Sequence, residues 1–223
     1  MPKFKSISDV DLKIMPRPYL SWSQFNLFEH SPERYAKVYF NGKRYENNSM
    51  ALGSVVDKAV EDQETNDPTI AHLMNFIPKY PKRQFEIPAL SKNKKVNMGY
   101  LNPLTYSGIP VYGKLDGFKG KPLTVGELKT GVKWTQGMVD KADQLTYYAM
   151  LVFSKFGSLP KDIFLHWAKT EIDDDGNVRL CGDVLTFRTE RNMTDIVRLF
   201  ARMKRAWIGI YEMALEEQKV FIS

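Results

Sequence analysis

Residues 113–131 read Gly-Lys-Leu-Asp-Gly-Phe-Lys-Gly-Lys-Pro-Leu-Thr-Val-Gly-Glu-Leu-Lys-Thr-Gly, which is the pattern of two short strands joined by a turn. Two strand-like runs, Val111 to Phe118 and Leu123 to Thr130, predict a β-hairpin. Gly120-Lys121 lies between them and suits a two-residue turn that needs glycine first. Pro122 cannot donate a ladder hydrogen bond beside this turn, so a slipped or longer loop stays open.

The turn sets a register in which residues whose numbers sum to 241 face each other. Asp116 then lies opposite Val125 and diagonal to Glu127. Because side chains alternate along a strand, Lys129 joins Glu127 on one face while Leu128 points to the other. The hairpin therefore predicts two carboxylates and one ammonium on a common face, provided that the pairing sum is odd.

Asp116, Glu127 and Lys129 together have the chemistry of a metal-dependent hydrolase. Charged groups are costly to bury unless something holds them together, and a divalent cation does so. Carboxylate oxygens are the ligands that Mg²⁺ or Mn²⁺ prefers, and a lysine can orient a water or stabilise charge on a phosphate. An ordinary salt-bridge cluster on the solvent face of a hairpin is the alternative, because the spacing is a loose pattern.

Three ordered motifs of this sequence resemble the core motifs of RecB-type nucleases of the PD-(D/E)XK superfamily. The motifs are Gly113 to Asp116, Val125 to Gly131, and Gln144-x-x-x-Tyr148. Further upstream, three segments are similar to the N-terminal helical segment of that family: Ser21 to Phe25, Ser31 to Tyr35, and Gly53 to Asp57. The resemblance spans Tyr19 to Phe153 and is closest to the clusterless RecB-like exonucleases, which include Cas-family members.

This resemblance implies an α/β fold with a restriction-endonuclease-like mixed β-sheet core, flanked by helices and preceded by an N-terminal helical segment. It also implies a role for each matching residue. Metal is held by Asp116, Glu127, the Leu128 carbonyl and Asp57. The catalytic residues are Asp116, Glu127 and Lys129, the last of which positions the attacking water. The substrate-binding residues are Gln144 and Tyr148, for which a polar pair flanking a core helix is the alternative.

Asp57 departs from the pattern of the resembled family, which has histidine at the matching position. A carboxylate there makes a harder and more negative site that still suits Mg²⁺. Asp57 belongs to a helix predicted over Ala51 to Asp62, in which Glu61 lies one turn further and shares its face. A solvated helix face with Lys58 nearby is the alternative, since charge runs usually face water.

An iron–sulfur cluster is not expected. The iron–sulfur members of the resembled family carry a Cys-Pro pair near the place where this chain has Ser31-Pro32. Cys181 is the single cysteine of the sequence, so the set of thiolates that such a cluster needs is absent. The expected cofactor is therefore Mg²⁺ or Mn²⁺ alone.

The composition indicates an enzyme-sized chain with a polyanionic partner. The sequence has 223 residues, 43% of them hydrophobic, and 32 Lys+Arg against 26 Asp+Glu, giving a net charge of +6. A positive balance favours a polyanionic partner without requiring one, and the resemblance implies that this partner is DNA. No apolar run approaches the roughly 20 residues that cross a bilayer, and no signal peptide is recognisable. We therefore expect a cytoplasmic protein with no membrane partner.

The chain is expected to form a single nuclease domain over residues 1–223. An irregular lead-in with little packing of its own, residues 1–18, precedes an N-terminal helical part, 19–80, in which Ser21 and Ser31, the latter followed by Pro32, are the expected helix caps. The sheet core spans 81–190 and includes a helix over 133–156. A C-terminal helix spans 191–223, with Asn192 as its expected cap. The three histidines, His30, His72 and His166, lack metal-ligand spacing, so we expect surface or core positions for them.

The function that these inferences favour is a Mg²⁺-dependent DNA nuclease, expected to be an exonuclease acting in DNA processing, repair or recombination. A helicase or recombinase is a conceivable partner. One alternative is a DNA-binding or scaffolding module whose site has decayed. Another is a structure-selective endonuclease.

Overall fold

The computed structural model describes residues 12–43, 47–75, 83–87, 109–131 and 133–222. Within these ranges the helices are α1 (Trp22–His30), α2 (Pro32–Tyr39), α3 (Asn48–Asp62), α4 (Pro68–Met74), α5 (Gln136–Asp140), α6 (Asp143–Phe156) and α7 (Met193–Ile222). The strands are β1 (Arg83–Ile87), β2 (Val111–Leu115), β3 (Gly117–Gly120), β4 (Leu123–Gly131), β5 (Asp162–Ile172) and β6 (Val178–Thr189). None of the described helices is both long and apolar enough to span a membrane.

The main sheet is mixed and has the strand order β3-β4-β5-β6. β4 pairs with β3 in the antiparallel sense and with β5 in the parallel sense, while β5 and β6 are antiparallel. β1 and β2 form a separate antiparallel pair. The predicted fold class, a mixed α/β core flanked by helices with an N-terminal helical segment, is confirmed.

The predicted turn of the hairpin is wrong by one residue. Gly120 pairs with Leu123 and Gly117 with Gly126, so paired residues sum to 243 rather than 241. The turn consists of Lys121 and Pro122, because proline has no N–H to give to the ladder whereas Gly120 has one. The sum is still odd, so every side chain keeps its predicted face.

The predicted strand from Val111 to Phe118 is split at Asp116. β2 pairs with β1 before this residue, and β3 pairs with β4 after it. The Asp116 carboxylate accepts a hydrogen bond from the Leu128 backbone N–H at 3.1 Å, so a side chain takes the place of a ladder bond. If the β3–β4 register is continued by one residue, Asp116 lies directly opposite Glu127 rather than diagonal to it.

The predicted helix over 133–156 is two helices. α5 ends at Asp140 and α6 begins at Asp143, with Lys141 and Ala142 between them. The Arg191 guanidinium holds the chain at this break, because it donates to the backbone carbonyls of Val139, in α5, and of Ala142, just before α6. A long-range contact that periodicity cannot reveal thus lies at a break in a sequence with continuous helical spacing.

The helix starts in the N-terminal part follow the predicted capping chemistry. The Ser21 side chain caps α1, and Ser31 caps α2 with Pro32 in its first turn, as expected. α3 begins at Asn48, three residues before the predicted start at Ala51, because the Asn47 side chain caps it by accepting from Met50 N at 2.9 Å.

Helices cover both faces of the sheet. α6 packs on one face, where Val125 and Leu151 belong to the larger apolar cluster. Leu128 points to the other face and packs against a smaller cluster on α3 and α4 that contains Val56. Met15 is also buried in the larger cluster, so the described part of the lead-in packs against the core, contrary to expectation. Residues 1–11 of the lead-in lie outside the described residues, and the single-domain division stays a prediction.

Gly113 lets α6 approach β2 closely. A Cβ atom at this position would lie 2.3 Å from Leu151 Cδ1. The neighbouring Tyr147 is held in place by its hydroxyl, which lies 2.9 Å from the Leu20 carbonyl oxygen and 2.8 Å from that of Tyr112. α6 is thereby fixed against the N-terminal segment and β2, the strand that leads into Asp116.

His166 makes stability depend on pH. It is buried on β5, its Nδ1 lies 2.9 Å from Thr186 Oγ1, and burial lowers its pKa to about 4. A histidine whose folded pKa is depressed stabilises the protein above its unfolded pKa, and this contribution is lost as pH falls from about 6.5 through 4.

We expect the loss to reach about 3 kcal/mol of the free energy of unfolding. Urea unfolding of wild type and His166→Asn at pH 7.5, 5.5 and 4.5 measures the effect. The free energy of unfolding of wild type should fall relative to that of the variant as the pH falls. A difference that stays constant over this range contradicts the prediction.

Candidate active site

One open cavity of about 400 Å³ lies between β4, the first half of α3, and α6. The structure brings all seven predicted site residues to its wall: Asp57, Asp116, Glu127, Leu128, Lys129, Gln144 and Tyr148. The wall also contains residues that the sequence reasoning missed: Ser49, Met50, Gly53, Ser54 and Thr130. The asparagine cap at Asn47 was the signal that could have extended α3 by one turn and added Ser49 and Met50.

Glu127 lies at the centre of the cavity and is almost fully buried, with 2% of its surface exposed. Its Oε1 accepts from the Lys129 ammonium at 2.6 Å and from the Gln144 side-chain amide at 2.7 Å. Its Oε2 is buried and has no hydrogen-bond partner among the described residues. One oxygen of this carboxylate is therefore saturated, and the other is left without a donor.

Asp116 and Leu128 form the second part of the wall. The hydrogen bond from Leu128 N to Asp116 Oδ2 fixes the carboxylate at the edge of β4. In a β-strand, the N–H and the C=O of one residue point to the same edge of the strand, so both can bond to the same neighbouring strand. β3 pairs with β4 only from Leu123 to Gly126. The Leu128 carbonyl therefore points to the same edge as its N–H, towards Asp116.

α3 approaches the cavity from the other side of β4. A Cβ atom at Gly53 would lie 3.1 Å from Thr130 Oγ1, so glycine permits the close contact between this helix and the strand. Asp57, one turn further along α3, is near enough to Lys129 to raise the pKa of its ammonium. The carboxylate of Asp57 thus faces the lysine side of the cavity.

The carboxylates of Asp116 and Glu127 crowd negative charge into the site. Burial, and then repulsion from Asp116, raise the pKa of Glu127 from its ordinary value of 4.5 to about 8. Burial favours the neutral form of Lys129, but the Glu127 carboxylate outweighs it, so the pKa of Lys129 is raised and the amine stays charged. Burial also raises the pKa of Tyr148 well above its ordinary value, so its hydroxyl stays protonated.

The donor set fits a hard divalent cation. Mg²⁺ typically binds one or two carboxylates and completes its shell with waters and substrate phosphates. Asp116, Glu127 and the Leu128 carbonyl offer such oxygens, and the partnerless Oε2 of a buried carboxylate is the atom that a cation would satisfy. No group of three or more His, Cys, Asp or Glu side chains in the described parts of the chain is arranged to hold a metal. The ligand roles of Asp57, Asp116 and Glu127 therefore stay predictions.

Comparisons with known proteins support the fold. No family model matches the sequence, and no curated protein matches it. A crystal structure from Eubacterium rectale, named as that of a candidate exonuclease, is similar with a TM-score of 0.51 and 14% identity, over 89% of this chain and 82% of that chain. The crystal structure of SSO0001 matches 90% of this chain and 76% of its own, at 15% identity and a TM-score of 0.39. At these identities, the first similarity shows a shared fold, and the second carries no argument.

Proposed function

We propose that this protein is a Mg²⁺-dependent deoxyribonuclease of the RecB type within the PD-(D/E)XK superfamily. The observation that carries the proposal is the buried Glu127, which has one oxygen held by Lys129 and Gln144 and the other without a partner, beside Asp116. The fold shared with a candidate exonuclease of Eubacterium rectale supports it. The metal is Mg²⁺ or Mn²⁺.

The residues divide the work of phosphodiester hydrolysis. Asp116, Glu127 and the Leu128 carbonyl would hold the metal, with Asp57 assisting from α3. The bound metal would lower the pKa of a water and neutralise charge that develops on the phosphate. Lys129, held against Glu127 at 2.6 Å, directs its remaining N–H groups to the attacking water or to a phosphate oxygen. Gln144 and Tyr148 line the same cavity, within reach of nucleic acid.

We further propose that the substrate is DNA and that the enzyme removes nucleotides from an end. This activity would serve DNA processing, repair or recombination in the cytoplasm, alongside a helicase or recombinase. The net charge of +6 favours a polyanionic substrate.

Cleavage of labelled DNA is expected to depend on both Mg²⁺ and the cavity residues. Asp116→Asn and Lys129→Ala should each lower the rate by at least about 100-fold, since one removes a metal-binding charge and the other removes the cation beside it. The matched controls are Asp183→Asn and Lys169→Ala, an exposed ion pair with a 3.0 Å contact, which should cleave like wild type. Undiminished cleavage in both cavity variants contradicts the proposed roles of Asp116 and Lys129.

Two further measurements separate the alternatives. Calorimetry shows a decayed site if wild type binds Mn²⁺ no better than Asp116→Asn does. DNA with blocked termini identifies the mode of cleavage, because an exonuclease requires a free end and a structure-selective endonuclease does not.

A further inference from the structure

Both side-chain hydrogen-bond donors of Gln144 are used within the protein. It lies on α6, one turn before Tyr148, so the two side chains share a helix face. Its Nε2 donates to Glu127 Oε1 at 2.7 Å and to the Tyr148 hydroxyl oxygen at 2.8 Å. An amide nitrogen has two hydrogens, so both donors are used. A donor contact from Gln144 to a phosphate would require one of these bonds to break.

The orientation of the amide follows from its neighbours. When Glu127 is ionised, as it is when it holds a cation, a turned amide would place its oxygen against the carboxylate, and two acceptors would be in contact. The nitrogen therefore faces Glu127. Tyr148 reinforces this orientation, because its buried hydroxyl accepts the second hydrogen.

The consequence for Glu127 is a fixed rotation of its carboxylate. Lys129 and Gln144 both donate to Oε1, at 2.6 and 2.7 Å, from β4 and from α6. Two donors from different elements hold Oε1 in place, and Oε2 then occupies the remaining direction without a partner. Which oxygen is offered to a cation is thus decided by Gln144 as much as by Lys129.

We propose that Gln144 is a positioning residue that acts through Glu127: it orients the carboxylate so that Oε2 is presented to the metal, and Tyr148 in turn orients Gln144. This inference rests on the proposed metal site and assigns Gln144 a role other than the substrate binding that the sequence resemblance implies. Outer-shell partners of metal ligands fix ligand geometry in this way in other sites.

The test separates metal affinity from DNA affinity. Gln144→Met has a similar length but no donor, and it should weaken Mn²⁺ binding to DNA-free protein by about 10–100-fold in calorimetry. Tyr148→Phe keeps the ring and loses the acceptor, so it should weaken Mn²⁺ binding in the same direction by a smaller factor. At saturating metal, Gln144→Met should lower kcat and leave the KM for DNA unchanged.

The control is Gln218→Met on α7, an exposed glutamine that should leave Mn²⁺ affinity and KM as in wild type. Thermal unfolding of each metal-free variant checks that it is folded. The inference is overturned if Gln144→Met binds Mn²⁺ as wild type does while its KM for DNA rises, which is the behaviour of a substrate-binding residue. Mn²⁺ binding without any cleavage by wild type removes the nuclease proposal alone, whereas no Mn²⁺ binding by wild type overturns both.

Discussion

Glu127→Gln is expected to abolish metal-dependent cleavage and at the same time to make the metal-free protein more stable. Cleavage should fall by more than about 100-fold, because altering an outer-shell partner of a metal already costs 10–100-fold and this change removes a ligand charge itself. Stability should rise because the amide carries no charge to bury, and its nitrogen can donate to Asp116.

The stability gain has a definite pH dependence. Burial and Asp116 raise the pKa of Glu127 from 4.5 to about 8. The folded state therefore binds more protons than the unfolded state between these values, and stability falls as pH rises from 4.5 to 8. At pH 7 the penalty is about 3 kcal/mol, from 1.36 kcal/mol per unit of pKa difference, and Glu127→Gln removes it.

Urea unfolding in the presence of EDTA at pH 5, 7 and 8.5 measures this effect. The advantage of the variant should grow with pH, and Mn²⁺ should stabilise wild type but not the variant, since a ligand stabilises only the state that binds it. The control is Glu171→Gln, at an exposed glutamate paired with Arg179 at 2.9 Å. This variant should gain no stability over wild type with rising pH, and Mn²⁺ should stabilise it as it stabilises wild type. A variant less stable than wild type at pH 8.5 contradicts the proposed crowding of charge.

Arg191→Met is expected to lower the free energy of unfolding by about 3–5 kcal/mol, since it removes several buried hydrogen bonds from a charged group, each worth about 1.5–3 kcal/mol. Arg191 is buried with 7% of its surface exposed, and burial lowers its pKa. Its guanidinium donates to hydroxyls and carbonyls of three neighbouring elements: Thr146 Oγ1, Thr189 Oγ1, Glu190 O, Val139 O and Ala142 O.

Removal of this side chain takes one charged donor away from the carbonyls of Val139 and Ala142, which keep their backbone N–H donors. Arg191→Lys should recover only part of the loss, because an ammonium lacks the planar fork that reaches several acceptors at once. Arg179→Met, at an exposed position, is the control and should change stability by less than about 0.5 kcal/mol. Thermal and urea unfolding of the four proteins measure these differences, and a loss below 1 kcal/mol for Arg191→Met would show that the junction is held by other contacts.

Seven of the residues that line the candidate site could be predicted from the sequence, whereas the detailed geometry of the site could not. Alternation along β4 set Glu127 and Lys129 on one face, and this survived a turn displaced by one residue because the pairing sum stayed odd. Asp116 lies opposite Glu127 rather than diagonal to it because Pro122 lies in the turn. An error of one residue in the turn leaves the face of each side chain unchanged, but it changes the distance between side chains on opposite strands.

The helices show the same limit. Capping residues predicted the starts of α1, α2 and α7, since these are local hydrogen bonds between residues three apart or fewer. The continuous spacing of apolar residues over 133–156 gave no sign of the break after Asp140, because Arg191, which holds the chain at this break, lies about 50 residues away in the chain.

The hairpin over residues 113–131 therefore carries two kinds of information. The face of the hairpin on which Glu127 and Lys129 lie and the starts of α1, α2 and α7 follow from the sequence, because alternation and capping are properties of neighbouring residues. The α/β fold class followed from the family resemblance, and the predicted elements missed the breaks at Asp116 and after Asp140. Only the tertiary structure decided that Glu127 is buried, that Lys129 and Gln144 share its Oε1, and that Oε2 has no partner. These facts arise where β4 packs against α6, and burial and contact between distant segments exist only once the chain is folded.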